Sequence, residues 1–222
     1  MHKKFDKLDL IKIKVNEIIN QKQLKTNPQI IVVTKTFPMS KIEPIIKSGH
    51  IHFGENKLQE AEYKWHDLKK VNKNIKLHMI GKLQSNKVKK ALILFDYIHS
   101  LDNERLALKI SQHQKDLNKN IKLFIQINIA NEIQKSGISS KNLNEFYNYC
   151  KNDLSLNIIG LMCLPPFQSN STDYFNELKN IANKFNLKDL SMGMSSDFEE
   201  ALIQNSTFLR LGTAVLGPRD KL

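Results

Sequence analysis

Eight short β-rich runs, separated by amphipathic segments, are the feature that most constrains how this chain can fold. The runs are IIVVT (30–34), HFGE (52–55), LHMIG (77–81), YIHSL (97–101), KLFIQINI (122–129), LNIIGLM (156–162), DLSMGM (189–194) and FLRLG (208–212). Between them lie segments with helical spacing, among them KLQEAEYKWHDLKK, NERLALKISQHQKDLN and STDYFNELKNIANKF. Strands that alternate with helices pair in parallel. Eight such units closing on themselves predict a (β/α)8 TIM-type barrel at the short end of its usual size. An open, doubly wound sheet is the alternative. A stretch over about residues 5–24 reads as an extra N-terminal amphipathic helix. With 222 residues and 41% hydrophobic composition there is enough apolar material for one large core. No similar repeat, linker or low-complexity tract divides the chain, so residues 1–222 read as a single domain.

The net charge of +12 raises the question of nucleic acid. The lysines are scattered, however, and no block of five like charges occurs, so a solvated basic surface is expected and nucleic acid is not. No apolar run reaches the roughly 18 residues that span a bilayer, and the basic start lacks the apolar block of a secretory signal. Cys150 and Cys163 have no metal-ligand spacing. These features predict a cytoplasmic protein with two reduced thiols, no metal and no membrane partner.

The chemistry gathers at the ends of the strand runs, where barrels of this kind carry their sites. In IIVVTKTFP (30–38), Lys35 ends the first run. Shelter there favours a neutral amine, the form that adds to an aldehyde. The alternative is a structural lysine with its head at the rim. In SMGMSSDFEEA, Ser196 and Glu199 have capping-box spacing, which would occupy the Ser196 hydroxyl and leave Ser195 free beside backbone N–H groups. In LRLGTAVLG, Gly212 allows close backbone approach and Thr213 adds a hydroxyl and an N–H. The loops after strands seven and eight are where barrels commonly hold phosphate. Arg210, two residues before Gly212, projects to the same face and needs an acceptor. That acceptor is a carboxylate or the ring nitrogen of a bound heteroaromatic. An aldehyde-reactive lysine, a phosphate cradle and such an arginine together point to pyridoxal 5′-phosphate (PLP).

The chain resembles the PLP homeostasis protein family, relatives of the N-terminal barrel of alanine racemase. The resemblance rests on VVTKTFP, HFGENKLQE, HMIGKLQSNK, IHSLD, QKSG, GLMCLPP, SMGMSSDFEEA and RLGTAVLG, all in family order over nearly the whole chain. It departs at Leu77-His78-Met79, where the family often has an aromatic pair, and at Lys82, where it often has proline. The resemblance implies an alanine racemase N-terminal domain-like barrel with PLP held as an internal aldimine on Lys35. It implies that Asn56 contacts the cofactor ring, that Ser195, Gly212 and Thr213 bind phosphate, and that Arg210 faces the pyridine nitrogen.

An arginine there discourages protonation of the ring and weakens it as an electron sink. Two-base racemisation would further need a second acid or base, which His99 or Tyr97 could supply only if they were not core residues, as lone strand His and Tyr usually are. The related racemases take that base from an additional β-domain, for which the residues after the eighth run leave no room. The expectation is therefore a monomeric, non-catalytic carrier of PLP that exchanges with PLP-dependent apo-enzymes and serves vitamin B6 homeostasis. A PLP-dependent amino-acid racemase or other fold-type III enzyme is the alternative, and a lysine-based aldolase barrel without PLP is a third reading.

Overall fold

A computed structural model describes residues 6–130, 132, 134–166 and 169–218. The strands are β1 (Gln29–Val33), β2 (His52–Glu55), β3 (Lys76–Met79), β4 (Tyr97–Leu101), β5 (Lys122–Ile127), β6 (Ile158–Cys163), β7 (Asp189–Ser191) and β8 (Phe208–Leu211). The helices are α1 (Lys7–Lys22), α2 (Met39–Lys47), α3 (Leu58–Val71), α4 (Val88–Leu94), α5 (Glu104–Leu117), α6 (Leu143–Asn148), α7 (Ser171–Lys184), α8 (Phe198–Ile203) and α9 (Thr213–Leu216). The strands close in sequence order, each parallel to its neighbours, and β8 returns to β1 with Ile31 opposite Arg210. The open-sheet alternative is thereby excluded. Each expected strand is present, and the runs drawn past residues 79, 127 and 191 end earlier because the chain turns there toward the next helix.

Strand pleating sorts the side chains into two cores. Ile30 and Val32 face outward into the large layer between strands and helices, which also holds Phe53, Trp65, Leu92, Phe175 and Leu209. Ile31 points the other way and joins Tyr97, Phe124, Met162 and Phe208 in the lumen. Burying an apolar side chain of this size contributes about 1.5–3 kcal/mol. The lumen is therefore a packed core, as an eight-stranded barrel of this diameter requires. It also holds His78 stacked on Tyr97 (4.2 Å between centroids) and His99 stacked on Phe124 (4.3 Å).

Helix α1 begins at an Asp6 cap, whose side chain accepts from the Asp9 N–H at 2.8 Å. Phe5, the first residue expected in this helix, lies outside the described residues. Its buried stripe of Leu8, Ile11 and Val15 packs on α8 and α9, so the chain's first helix clasps its last βα unit. The pairing of Lys14 with Glu199 fastens the same contact. Among the described residues no helix is long and apolar enough to cross a membrane.

Candidate functional site

Four adjacent staves, β7, β8, β1 and β2, bring the expected site residues to one mouth of the barrel. Lys35 follows β1, Asn56 follows β2, Ser195 follows β7, and Gly212 and Thr213 follow β8. Arg210 lies lower, within β8 and facing the lumen beside Ile31's stave.

Lys35 is half-buried at the centre of a turn that its neighbours pin from both sides. The Thr34 hydroxyl donates to Glu55 Oε1 at 2.7 Å, and Lys64 Nζ donates to the Thr34 carbonyl at 2.7 Å. The Thr36 N–H donates to Glu60 Oε1 at 2.5 Å. Thr36 has φ 66°, a left-handed conformation that a β-branched residue adopts only at a cost of about 1–3 kcal/mol and only when held there. Lys64 bridges the two acids, at 3.2 Å from Glu55 and 2.5 Å from Glu60, and is itself almost fully buried. Trp65 Nε1 donates a further bond to Glu55 Oε1 at 3.0 Å. Burial pushes Glu55 above the usual carboxylate range, against the opposing pull of Trp65, Thr34 and Lys64. Sequence reasoning did not assign Glu55, Glu60 or Lys64 a role. The signal lay in HFGENKLQE, whose two acids end β2 and stand in the first turn of α3, and Lys64, four residues after Glu60, meets both.

Asn56 is half-buried in the turn after β2, and Gly81 presses against its backbone. A Cβ at Gly81 would stand 2.4 Å from the Asn56 carbonyl oxygen, so only glycine lets these two loops meet.

At the other side of the mouth the capping-box expectation fails. Helix α8 starts at Phe198 with Asp197 in the capping position, so Ser196 stands outside it and Glu199 reaches across to Lys14 instead. Asp197 Oδ1 accepts from the Met194 N–H at 2.6 Å and closes the turn that a serine cap was expected to close. Ser195 is not free either. Its Oγ accepts from the N–H groups of Gly212 and Ala214, each at 3.2 Å. The serine and the β8–α9 turn thus meet as expected, with the hydroxyl sitting where the two N–H groups converge. A Cβ at Gly212 would make only ordinary contacts with Val33, so internal packing does not demand glycine there. Thr213 is exposed at the start of α9.

Arg210 is buried and pairs with no carboxylate among the described residues. Nη1 donates to Ser191 Oγ at 2.7 Å and Nη2 to the Cys163 carbonyl at 2.9 Å. Burial pulls the guanidinium below its ordinary value, with Cys163 and Asp197 opposing, and it remains charged. Both acceptors are neutral, so no hydrogen-bonded carboxylate cancels the charge. His99 and Tyr97 are core residues, as expected: both lie buried in the lumen, and Tyr97 sits at the opposite end of the strands, where its hydroxyl meets Lys122 Nζ at 3.2 Å. Among the described residues no cluster of three or more His, Cys, Asp or Glu could hold a metal ion.

Comparison with known proteins agrees with this architecture. The family described as alanine racemase, N-terminal domain, matches residues 8–220. A pyridoxal phosphate homeostasis protein of Aquifex aeolicus is 34% identical over 86% of this chain and 87% of its own. One of Synechocystis is 36% identical over 88% of this chain and 94% of its own. The structure of PipY of Synechococcus elongatus with PLP bound is 30% identical, with TM-score 0.79 over 91% of this chain and 100% of that one. An alanine racemase of Clostridium difficile, 13% identical with TM-score 0.69 over 94% of this chain and 56% of its own, shares the fold alone. The chain belongs to the alanine racemase N-terminal domain family and, within it, to the pyridoxal phosphate homeostasis proteins.

Proposed function

We propose that this protein binds PLP covalently through Lys35 and holds it in reserve for intracellular PLP homeostasis, without turning over a substrate of its own. The observation that carries the reading is Arg210: a buried guanidinium whose hydrogen-bond acceptors among the described residues are both neutral, on the stave between those that present Lys35 and Ser195. A charge left uncancelled in that position suits a ligand acceptor that must stay unprotonated, such as a pyridine nitrogen. The Gly212 and Ala214 N–H groups with Ser195, and Thr213 beside them, fit the phosphate. Asn56 fits the ring from the opposite loop, and the pinned turn at Lys35 fits the aldehyde carbon. PLP, when bound, supplies an electron sink. An arginine facing its nitrogen makes that sink poor, which favours storage over amino-acid chemistry. Neither candidate second base is placed to serve at this mouth: Tyr97 lies at the far end, and His99 Nδ1 is bonded to Ser191 at 2.8 Å. PLP-dependent apo-enzymes are the receivers this reading implies.

The test is the absorbance spectrum of purified protein, with and without added PLP, beside Lys35→Ala. Wild type is expected to show the visible band of lysine-linked PLP. The variant is expected to keep its fold and lose that band. Transfer of PLP from the loaded protein to an apo-enzyme is expected to outpace its release into buffer. A wild type that takes up no PLP overturns the proposal, and α-deuterium exchange on any amino acid in a broad panel would overturn its non-catalytic part.

A further inference from the structure

Five polar side chains cross the barrel lumen in one hydrogen-bonded line. Arg210 Nη1 meets Ser191 Oγ at 2.7 Å, and Ser191 Oγ meets His99 Nδ1 at 2.8 Å. His99 Nε2 meets His78 Nδ1 at 2.9 Å, and His78 Nε2 meets His52 Nδ1 at 2.9 Å. All five are buried. The line starts on β8, steps to β7, spans the lumen to β4, and descends through β3 to the first residue of β2. The three imidazoles are strung end to end and do not converge on one point, which is why they form no metal site.

The direction of every bond follows from its first member. A guanidinium only donates, so Ser191 Oγ accepts from Arg210. The serine has one proton, and the acceptor within reach is His99 Nδ1. A neutral imidazole carries one N–H, so His99 must carry it on Nε2 and donate to His78. The same step repeats from His78 to His52, leaving the last N–H on His52 Nε2. The neutral state is enforced by the surroundings. Burial, chiefly, lowers His78 and His99 well below the usual histidine range, with the neighbouring histidines and Lys69 adding for His78 and Arg210 for His99. Burial, Lys76 and Lys122 lower His52, with Asp96 opposing.

We propose that His99, His78 and His52 are positioning residues of the cofactor site: a polarised relay that fixes Ser191 as an acceptor and turns the negative ends of three imidazole dipoles toward Arg210. The proposal rests on the reading of this mouth as a PLP site. A carboxylate in the same place would cancel the arginine's charge and draw it away from the mouth. The serine–imidazole line coordinates it and leaves the charge intact. These two bonds use two of the guanidinium's five N–H donors.

Two measurements test the relay. In full-length, ligand-free protein labelled with 15N, long-range proton–nitrogen correlations are expected to place the proton on Nε2 of His52, His78 and His99. The opposite tautomer at any of them, or an imidazolium at His78 or His99 near neutral pH, overturns the proposal, and this readout does not depend on PLP. Second, His99→Leu removes the acceptor facing Ser191, whereas the amide oxygen of His99→Asn can replace it. His99→Leu is expected to weaken PLP binding about tenfold and displace its absorbance band, with His99→Asn recovering most of both. Equal effects of the two substitutions would reduce His99 to a packing residue and refute the positioning role. If wild type binds no PLP while the tautomers are as stated, the site reading fails and the relay stands as the coordination of Arg210.

Discussion

Removing the ammonium of Lys64 should expose how tightly the Lys35 turn depends on a buried charge pair. Lys64→Met leaves Glu55, which is fully buried, with Trp65 and Thr34 as its donors. Breaking such a pair from one side costs about 3–5 kcal/mol if the remaining charge stays ionised. Glu55 has an escape: it can take a proton. Starting from an ordinary value of 4.5, protonation near pH 7 costs about 3.4 kcal/mol at 1.36 kcal/mol per unit, and that sets the ceiling. The sign follows from the direction of the shift. Glu55 is raised in the folded state, so its contribution is fully present below 4.5 and is lost as pH rises through its folded value. Lys64→Met raises that value further, so the variant's deficit must grow with pH. Near pH 7 a deficit of about 3 kcal/mol corresponds to about 6–12 °C in Tm for a chain of this size. Near pH 5.5 the ceiling falls to about 1.4 kcal/mol. Paired thermal melts of the two proteins at the two pH values measure this directly. An equal deficit at both would mean that Glu55 is not the group left uncompensated, and the account of the pinned turn would be wrong. Lys64→Met/Glu55→Gln is expected to recover most of the loss. In Lys64→Met itself Thr34 and Thr36 lose their shared anchor, so slower attachment of PLP to Lys35 should accompany the destabilisation.

Burial pushes the Cys163 thiol up to about 12, so alkylation near pH 8 is expected to follow global unfolding, and rapid labelling of Cys163 in folded protein would contradict its placement behind Arg210. His50 is lowered from 6.5 to about 4, chiefly by burial, and its Nε2 meets the His52 carbonyl at 2.9 Å. A depressed histidine gives stability that is present above 6.5 and lost as pH falls through its folded value. His50→Gln keeps a donor for that carbonyl without the titration. Relative to it, wild type is expected to lose about 2–3 kcal/mol between neutral pH and pH 4, measured by urea unfolding. Parallel stability curves would refute the assignment.

What the sequence disclosed and what it concealed divide along sequence distance. The barrel was legible because each strand run is a local apolar pattern, and eight such patterns separated by amphipathic segments leave few ways to bury them all. Lys35, Ser195 and Gly212 were legible as a set because strand ends of a barrel share one mouth, whatever their separation in the chain, whereas Asn56 was singled out only by the family resemblance. The Ser196–Glu199 box misled for the opposite reason: it is a local pattern that two other interactions outcompete. Asp197 closes the turn from inside through Met194, and Glu199 is drawn across to Lys14 on α1, a contact 185 residues apart that no local motif contains. The histidine relay was concealed by the same logic. His52, His78 and His99 each sit singly on a different strand, and each by itself reads as core. Their alignment depends on register, which pairs His78 with Gly54 on one side and Tyr97 on the other, so that successive histidines step along the lumen within reach of one another. Glycine at position 54 matters to that step: a Cβ there would stand 2.9 Å from Ile31 in the lumen core, so the stave can supply a histidine at position 52 but no side chain beside His78. The line that register permits runs from His52 through His78, His99 and Ser191 to Arg210.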